Sequence, residues 1–196
     1  MITVNKERML AEFKEIVAIP CHTLQERPVF DYLKAKLEGM GFSVAEDGAG
    51  KELGGNCGNL WAFLPGTKAG ATSVLLSAHM DGVEPCGGTT VVQKDGVLYS
   101  DGTTILGGDD KSGVEGILEG IRLLLESGAP HGDIQILFTI AEEAVSTAPV
   151  AWISPACALM LAMRWTARVL PAKSSWVHPG NIATPLRCTA KRLTVA

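Results

Sequence analysis

"VEGILEGIRLLLESGAPHGDIQILFTI", residues 114–140, decides the architecture. Val114, Ile117, Leu118, Ile121, Leu124 and Leu125 recur at the spacing that lines one face of a helix. Gly128 and Pro130 stop it, since glycine accepts the left-handed backbone of a helix end and proline has no N–H to continue the ladder. Ile134 to Ile140 is then an apolar run of strand length. A long amphipathic helix feeding a buried strand is a building unit of α/β folds.

The same alternation runs back toward the N-terminus. Residues 5–18 read as a helix capped by Asn5, with Met9, Phe13, Ile16 and Val17 on one face. A second helix runs from about Gln25 to Met40. Pro28 is tolerated only in its first turn, and Gly39 and Gly41 end it. Strand-like pieces follow at Phe42–Ala45, Asn59–Leu64 and Ser73–Ala78, separated by glycine-rich loops. A hairpin is expected at Thr89–Val92 and Val97–Tyr99, around Lys94-Asp95-Gly96. Together these predict a three-layer α/β sandwich around a mostly parallel mixed sheet.

Composition narrows the function classes. With 46% hydrophobic and 19% charged residues, the 196-residue chain can bury a core. A formal net charge of −4 argues against nucleic acid or an anionic membrane as partner. The apolar run at residues 150–163 is shorter than the roughly 20 residues a spanning helix needs, and Pro155 interrupts it. The N-terminus shows no basic start followed by an apolar stretch, so no secretory signal is expected. Cys21, Cys57, Cys86, Cys157 and Cys188 are odd in number and form no CxxC pair, which fits a reduced, cytoplasmic protein with free thiols.

Composition also breaks sharply after residue 143. All 21 acidic residues lie in residues 1–143, whereas residues 144–196 carry six basic residues, three of the four tryptophans and one of the 22 glycines. Residues 144–196 therefore read as an anomalous basic tail not selected to complete the domain before it. A frame slip near codon 144, or a misjoined fragment, would produce such a break.

Three stretches carry potential chemistry, each at an end or junction of the expected elements. In "HMD", His79 and Asp81 follow an apolar strand and face the same way, so the carboxylate can accept the second N–H of the imidazole. In "GGDDKSG", Asp109 and Asp110 open the strong helix, and in "AEE", Glu142 and Glu143 end a strand. Each has an ordinary explanation: a capping or surface pair, compensation of a helix dipole, a solvated loop. All three lie at the rim where ligands gather in open α/β sheets. One imidazole and several carboxylates converging there need a cation, and a pair of zinc ions sharing a carboxylate would meet that need. A phosphate-binding loop fits poorly, because the spacing departs from GxxxxGK[ST] and two aspartates would repel the anion.

The stretches HMD, DGTTILGGDDKSG and FTIAEE, with GKELGGNCGNLWAFLPGT before them, resemble the peptidase T-like branch of the di-zinc metallopeptidases. That family also includes carboxypeptidase G, aminoacylases and a succinyl-diaminopimelate desuccinylase. The resemblance runs from about Met9 to Glu143. It implies that residues 1–143 are the N-terminal part of a zinc-peptidase catalytic domain, acting on a short peptide by way of two Zn2+ ions. His79 would bind one zinc, with Asp81 orienting it. Asp109 would bridge both metals, Glu143 would bind the second, and Glu142 would be the general base. A non-proline cis peptide between Asp109 and Asp110 is implied as well.

Two further zinc ligands of the family, a carboxylate some two dozen residues past the EE pair and a distant histidine, have no counterpart here. The window around MRWTARVL holds no carboxylate, and His178 stands in no matching motif. The lid and dimerisation domain is also missing, so the homodimer of complete members has no support in this chain. The expectation is a tripeptide-aminopeptidase-type chain with little or no activity alone. A related deacylase or carboxypeptidase, or a non-catalytic protein using the basic tail as a contact surface, are the alternatives.

Overall fold

The computed structural model describes residues 3–143; the basic tail and His178 lie outside the described residues. The elements are α1 (Lys6–Ala18), α2 (Arg27–Gly39), β1 (Ser43–Glu46), α3 (Ala49–Leu53), β2 (Leu60–Leu64), β3 (Val74–His79), β4 (Val91–Lys94), β5 (Val97–Ser100), α4 (Gly108–Ser127) and β6 (Ile134–Thr139). Asn5 caps α1, its Oδ1 accepting the Arg8 N–H at 3.0 Å. Gly128, with φ +63°, closes α4.

The helix α3 stands where the sequence pattern reads as a glycine-rich loop. This single turn exists because Gly50 lets the chain press against the carbonyl of Cys57. A Cβ at Gly50 would stand 1.9 Å from that oxygen, so only glycine fits.

The main sheet has the order β1-β2-β6-β3, and β4-β5 form a separate ribbon. The sheet is mixed, but its balance differs from the expectation. Among the described strands β1-β2 and β2-β6 run antiparallel, and only β3-β6 run parallel. β1 and β2 pair from Ser43 opposite Phe63 to Glu46 opposite Leu60, with residues 47–59 and their short helix α3 connecting them.

Register sets the core. Leu60 and Ala78 lie opposite Phe138, and Ala62 and Leu76 lie opposite Ile136, so these side chains share one face. Phe13 and Ile16 of α1, Phe30, Leu33 and Leu37 of α2, and Val114 and Leu118 of α4 pack into the same cluster. Burying a side chain such as Phe138 is worth about 2–3 kcal/mol. The described residues thus supply one helical layer and the sheet of the expected sandwich; the second layer is not among them. No helix of the described residues is long and apolar enough to cross a membrane.

Candidate metal centre

The parallel pairing of β3 and β6 builds the site. His79 at the end of β3 lies opposite Thr139 at the end of β6, so the chain beyond each strand emerges at the same rim. Met80 N–H donates to Thr139 O at 2.7 Å and keeps the strands together one step further.

Asp81 is fully buried and holds the centre together. Its Oδ1 lies 3.2 Å from His79 Nδ1 and accepts the Glu142 N–H at 3.0 Å. Its Oδ2 accepts the Thr23 hydroxyl at 2.9 Å and the Glu143 N–H at 3.0 Å. One carboxylate therefore fixes the imidazole ring and the backbone of the paired acids.

Other buried polar groups brace the same segments. Lys111 Nζ donates to the carbonyls of Met80 (2.6 Å) and Asp81 (3.0 Å). Asn59 Oδ1 accepts the Ile140 N–H at 2.9 Å, and Glu26 Oε1 accepts the Ala141 N–H at 3.0 Å. Ala141 has φ +58°, outside the usual range for a residue with a Cβ, and these bonds hold that turn, from which Glu142 and Glu143 project.

Asp109 comes from the opposite side. Its backbone at the start of α4 is non-helical, and the Asp109–Asp110 peptide is cis, as the resemblance implied. A second cis bond, Glu84–Pro85, had no sequence signal. Asp109 Oδ1 lies 3.1 Å from His79 Nε2, and Glu142 Oε2 lies 3.9 Å from the same nitrogen. Ligand atoms of His79, Asp109 and Glu143 all fall within 4.8 Å of one another.

Residues 75–165 match the model of peptidase family M20/M25/M40. Protein YqjE of Bacillus subtilis (strain 168) is 40% identical over 140 residues, 71% of this chain and 38% of that protein. The crystal structure of aminopeptidase PepT from Bacillus cereus ATCC 10987 matches with a TM-score of 0.71 and 39% identity, over 76% of this chain and 40% of that one. A tripeptidase structure from Staphylococcus aureus subsp. aureus Mu50 gives 0.68 and 38%, over 72% and 38%. In sequence and fold, the chain is consistent with a peptidase T-like protein of that family. It spans about two fifths of the length of these relatives.

The residues at this peptidase-family rim suit a metal. An imidazole nitrogen and two carboxylate oxygens from His79, Asp109 and Glu143 are a donor set that zinc takes readily. The buried cation beside them, Lys111, is turned onto carbonyls rather than these carboxylates.

Electrostatics follow from the same contacts. Burial disfavours the charged form of His79, but the carboxylates of Asp81 and Asp109 outweigh it and push the imidazole up to about 9. Burial would raise Asp81, yet His79, the two backbone amides and Thr23 hold it below the usual carboxylate range. Burial raises Glu143, and the nearby carboxylates of Asp109, Glu142 and Asp81 raise it further, against the pull of His79.

The sequence pattern assigns Asp81 only the orientation of His79; its bonds to Glu142 and Glu143 carry no sequence signal. Thr23, Glu26, Asn59 and Lys111 are functional supports that sequence reasoning missed altogether. Lys111 offered a faint signal, as a lysine between two aspartates and the first apolar turn of a helix.

Proposed function

We propose that this chain is the N-terminal part of the catalytic domain of a zinc-dependent tripeptide aminopeptidase. The observation that carries this reading is the convergence of His79, Asp109 and Glu143. Those three side chains would hold the metals, with Asp109 shared between two Zn2+ ions. A bound zinc pair would polarise the scissile carbonyl and acidify water near neutral pH.

The chain's own residues would supply the rest. Asp81 fixes the His79 ring and the backbone of Glu142 and Glu143. The largely exposed Glu142 carboxylate reaches toward the same imidazole nitrogen as Asp109, which suits a general base taking a proton from water and returning it to the leaving amine. A short peptide is the substrate class of this reading, and the cytoplasm its compartment.

The same reading takes residues 1–143 as the domain part and residues 144–196 as foreign to it. With no acidic residue after Glu143, the chain supplies three ligands to a centre that needs five, and it should hydrolyse tripeptides little or not at all. Metal analysis of purified chain equilibrated with zinc, followed by a tripeptide-cleavage assay, tests both parts. Zinc binding that is lost in His79→Ala, with no cleavage, is the expected result. A folded chain that takes up no zinc overturns the metal reading, and zinc-dependent cleavage overturns the inactivity. Translating the other two frames beyond codon 144 tests the tail: an acid-containing, glycine-rich continuation is expected there.

A further inference from the structure

Apart from the metal centre, Cys21 and Cys86 bring their sulfurs to 4.0 Å across 65 positions of sequence. Both are free thiols, Cys21 buried just after α1 and Cys86 partly exposed in the loop beyond β3. The backbones around them are already joined. Gly82 N–H donates to Cys21 O at 3.0 Å, Gly88 N–H donates to Ala18 O at 2.8 Å, and His22 bridges Gly82. A disulfide brings its sulfurs to about 2.0 Å, so the remaining gap is about 2 Å. Rotation of the less buried Cys86 side chain with a small loop shift closes it.

The two sulfurs differ in their surroundings. Cys86 Sγ lies 3.4 Å from His22 Nδ1, which lies 3.0 Å from Glu84 Oε1. The imidazole is placed to take the thiol proton, and the imidazolium so formed faces a carboxylate. Cys21 is different: burial pushes its thiol up to about 11, with the charge of Lys111 offsetting only part of the effect. Exposure and a neighbouring base thus single out Cys86 as the attacking sulfur, and the buried Cys21 thiol stands ready behind it.

We propose that Cys21 and Cys86 form a hydroperoxide-responsive dithiol pair that closes to a reversible disulfide, with Cys86 attacking and Cys21 resolving. With hydrogen peroxide, the Cys86 thiolate bonds to one oxygen and the O–O bond breaks. The departing hydroxide takes the proton from His22 and leaves as water, and Cys86 becomes a sulfenic acid. Cys21 sulfur then attacks Cys86 sulfur, the S–O bond breaks, and hydroxide leaves with the Cys21 proton as a second water. Two thiols are oxidised by two electrons and one peroxide is reduced to two waters. The new bond ties the Cys21–Thr23 segment to the Gly82–Cys86 loop, the two segments that flank Asp81, which Thr23 contacts directly.

The test treats the reduced full chain, with chelator present, with stoichiometric hydrogen peroxide. Alkylation and non-reducing peptide mass spectrometry follow. A dominant Cys21–Cys86 cross-link, reversed by dithiothreitol, is expected. Cys86→Ser abolishes it, and Cys21→Ser leaves Cys86 as a sulfenic acid that dimedone traps. His22→Asn keeps both thiols and slows the oxidation about tenfold or more. Should Cys21→Ser fail to fold, Cys86→Ser at the more exposed position and His22→Asn still decide. Cross-linking of Cys86 chiefly to Cys157 or Cys188 overturns the proposal, as does direct conversion of Cys86 to a sulfinic acid with Cys21 left alkylatable. An unchanged rate in His22→Asn overturns the assigned base.

Discussion

The carboxylate of Asp81 accepts the backbone N–H of Glu143 at 3.0 Å, a bond spanning 62 positions of sequence. The same carboxylate meets His79 and the Glu142 amide, so the HMD and AEE stretches are one bonded unit rather than two neighbours. A carboxylate this buried survives in charged form only because donors surround both oxygens.

Asp81→Asn should therefore be costly despite its similar size. The amide can accept at only one atom, so some of the four donors lose their partner, with a loss of about 2–4 kcal/mol in urea unfolding. Zinc affinity should fall about tenfold or more, since His79 and Glu143 both lose their orientation. The pH dependence has a definite sign. The folded-state value of Asp81 is depressed, so its stabilisation is present above about pH 4 and is lost as pH falls through the folded value. The Asp81→Asn variant should flatten that acid limb. Wild-type unfolding and wild-type zinc binding in the variant would remove Asp81 from its bracing role.

Lys111 is nearly inaccessible, and its ammonium is spent on two carbonyls of the Met80–Asp81 segment. Lys111→Met fills similar volume but leaves both carbonyls short of a donor. A loss of about 2–3 kcal/mol is expected in the same urea experiment. The effect should persist in high salt, because the contacts are shielded from solvent.

The fold was legible where periodicity or punctuation is local. The stripe from Val114 to Leu125 and the stop at Gly128 predicted most of α4, and Asn5 predicted the start of α1. Asp109 and Asp110 marked the start of α4, but their non-helical backbone within its first turn was not legible, since it carries no apolar period. The mixed sheet was legible, but not which of its described pairs run antiparallel: β3-β6 is parallel and β2-β6 is not, and periodicity along one strand says nothing of its neighbour. At the site, the ionisable clusters stood out as residue types. Their supports did not, because Thr23, Glu26 and Asn59 are ordinary residues until the chain folds them against Asp81 and the Ile140–Ala141 turn.

Glu142 and Glu143 are adjacent yet assigned different work, and zinc titration should separate them. His79→Ala and Glu143→Ala each remove a donor atom from the converging group, and affinity should drop about tenfold or more. Glu142→Gln leaves that group intact and should bind zinc within about threefold of wild type. Equal losses in all three variants, measured by competition with a chromophoric chelator, would contradict the division between ligand and base.

Glu115 offers the clearest pH signature away from the site. It lies buried in α4, and no donor among the described residues reaches its carboxylate oxygens. Burial first, and then the nearby Glu12 carboxylate, push Glu115 up to about 8; the charge of Arg122, itself paired with Glu12, offsets part of this. In its neutral form the Glu115 hydroxyl has Glu12 as an acceptor. A group with a raised folded-state value stabilises fully below its unfolded value of about 4.3, and that contribution is lost as pH rises toward about 8. Stability should thus decline across that window by a few kcal/mol at most and level off above it. Glu115→Gln, which cannot ionise and still offers a donor to Glu12, should remove the slope and make the chain more stable than wild type at pH 8. Urea midpoints at pH 5, 6.5 and 8 check this, and parallel curves for the two proteins would show that Glu115 does not change protonation on folding.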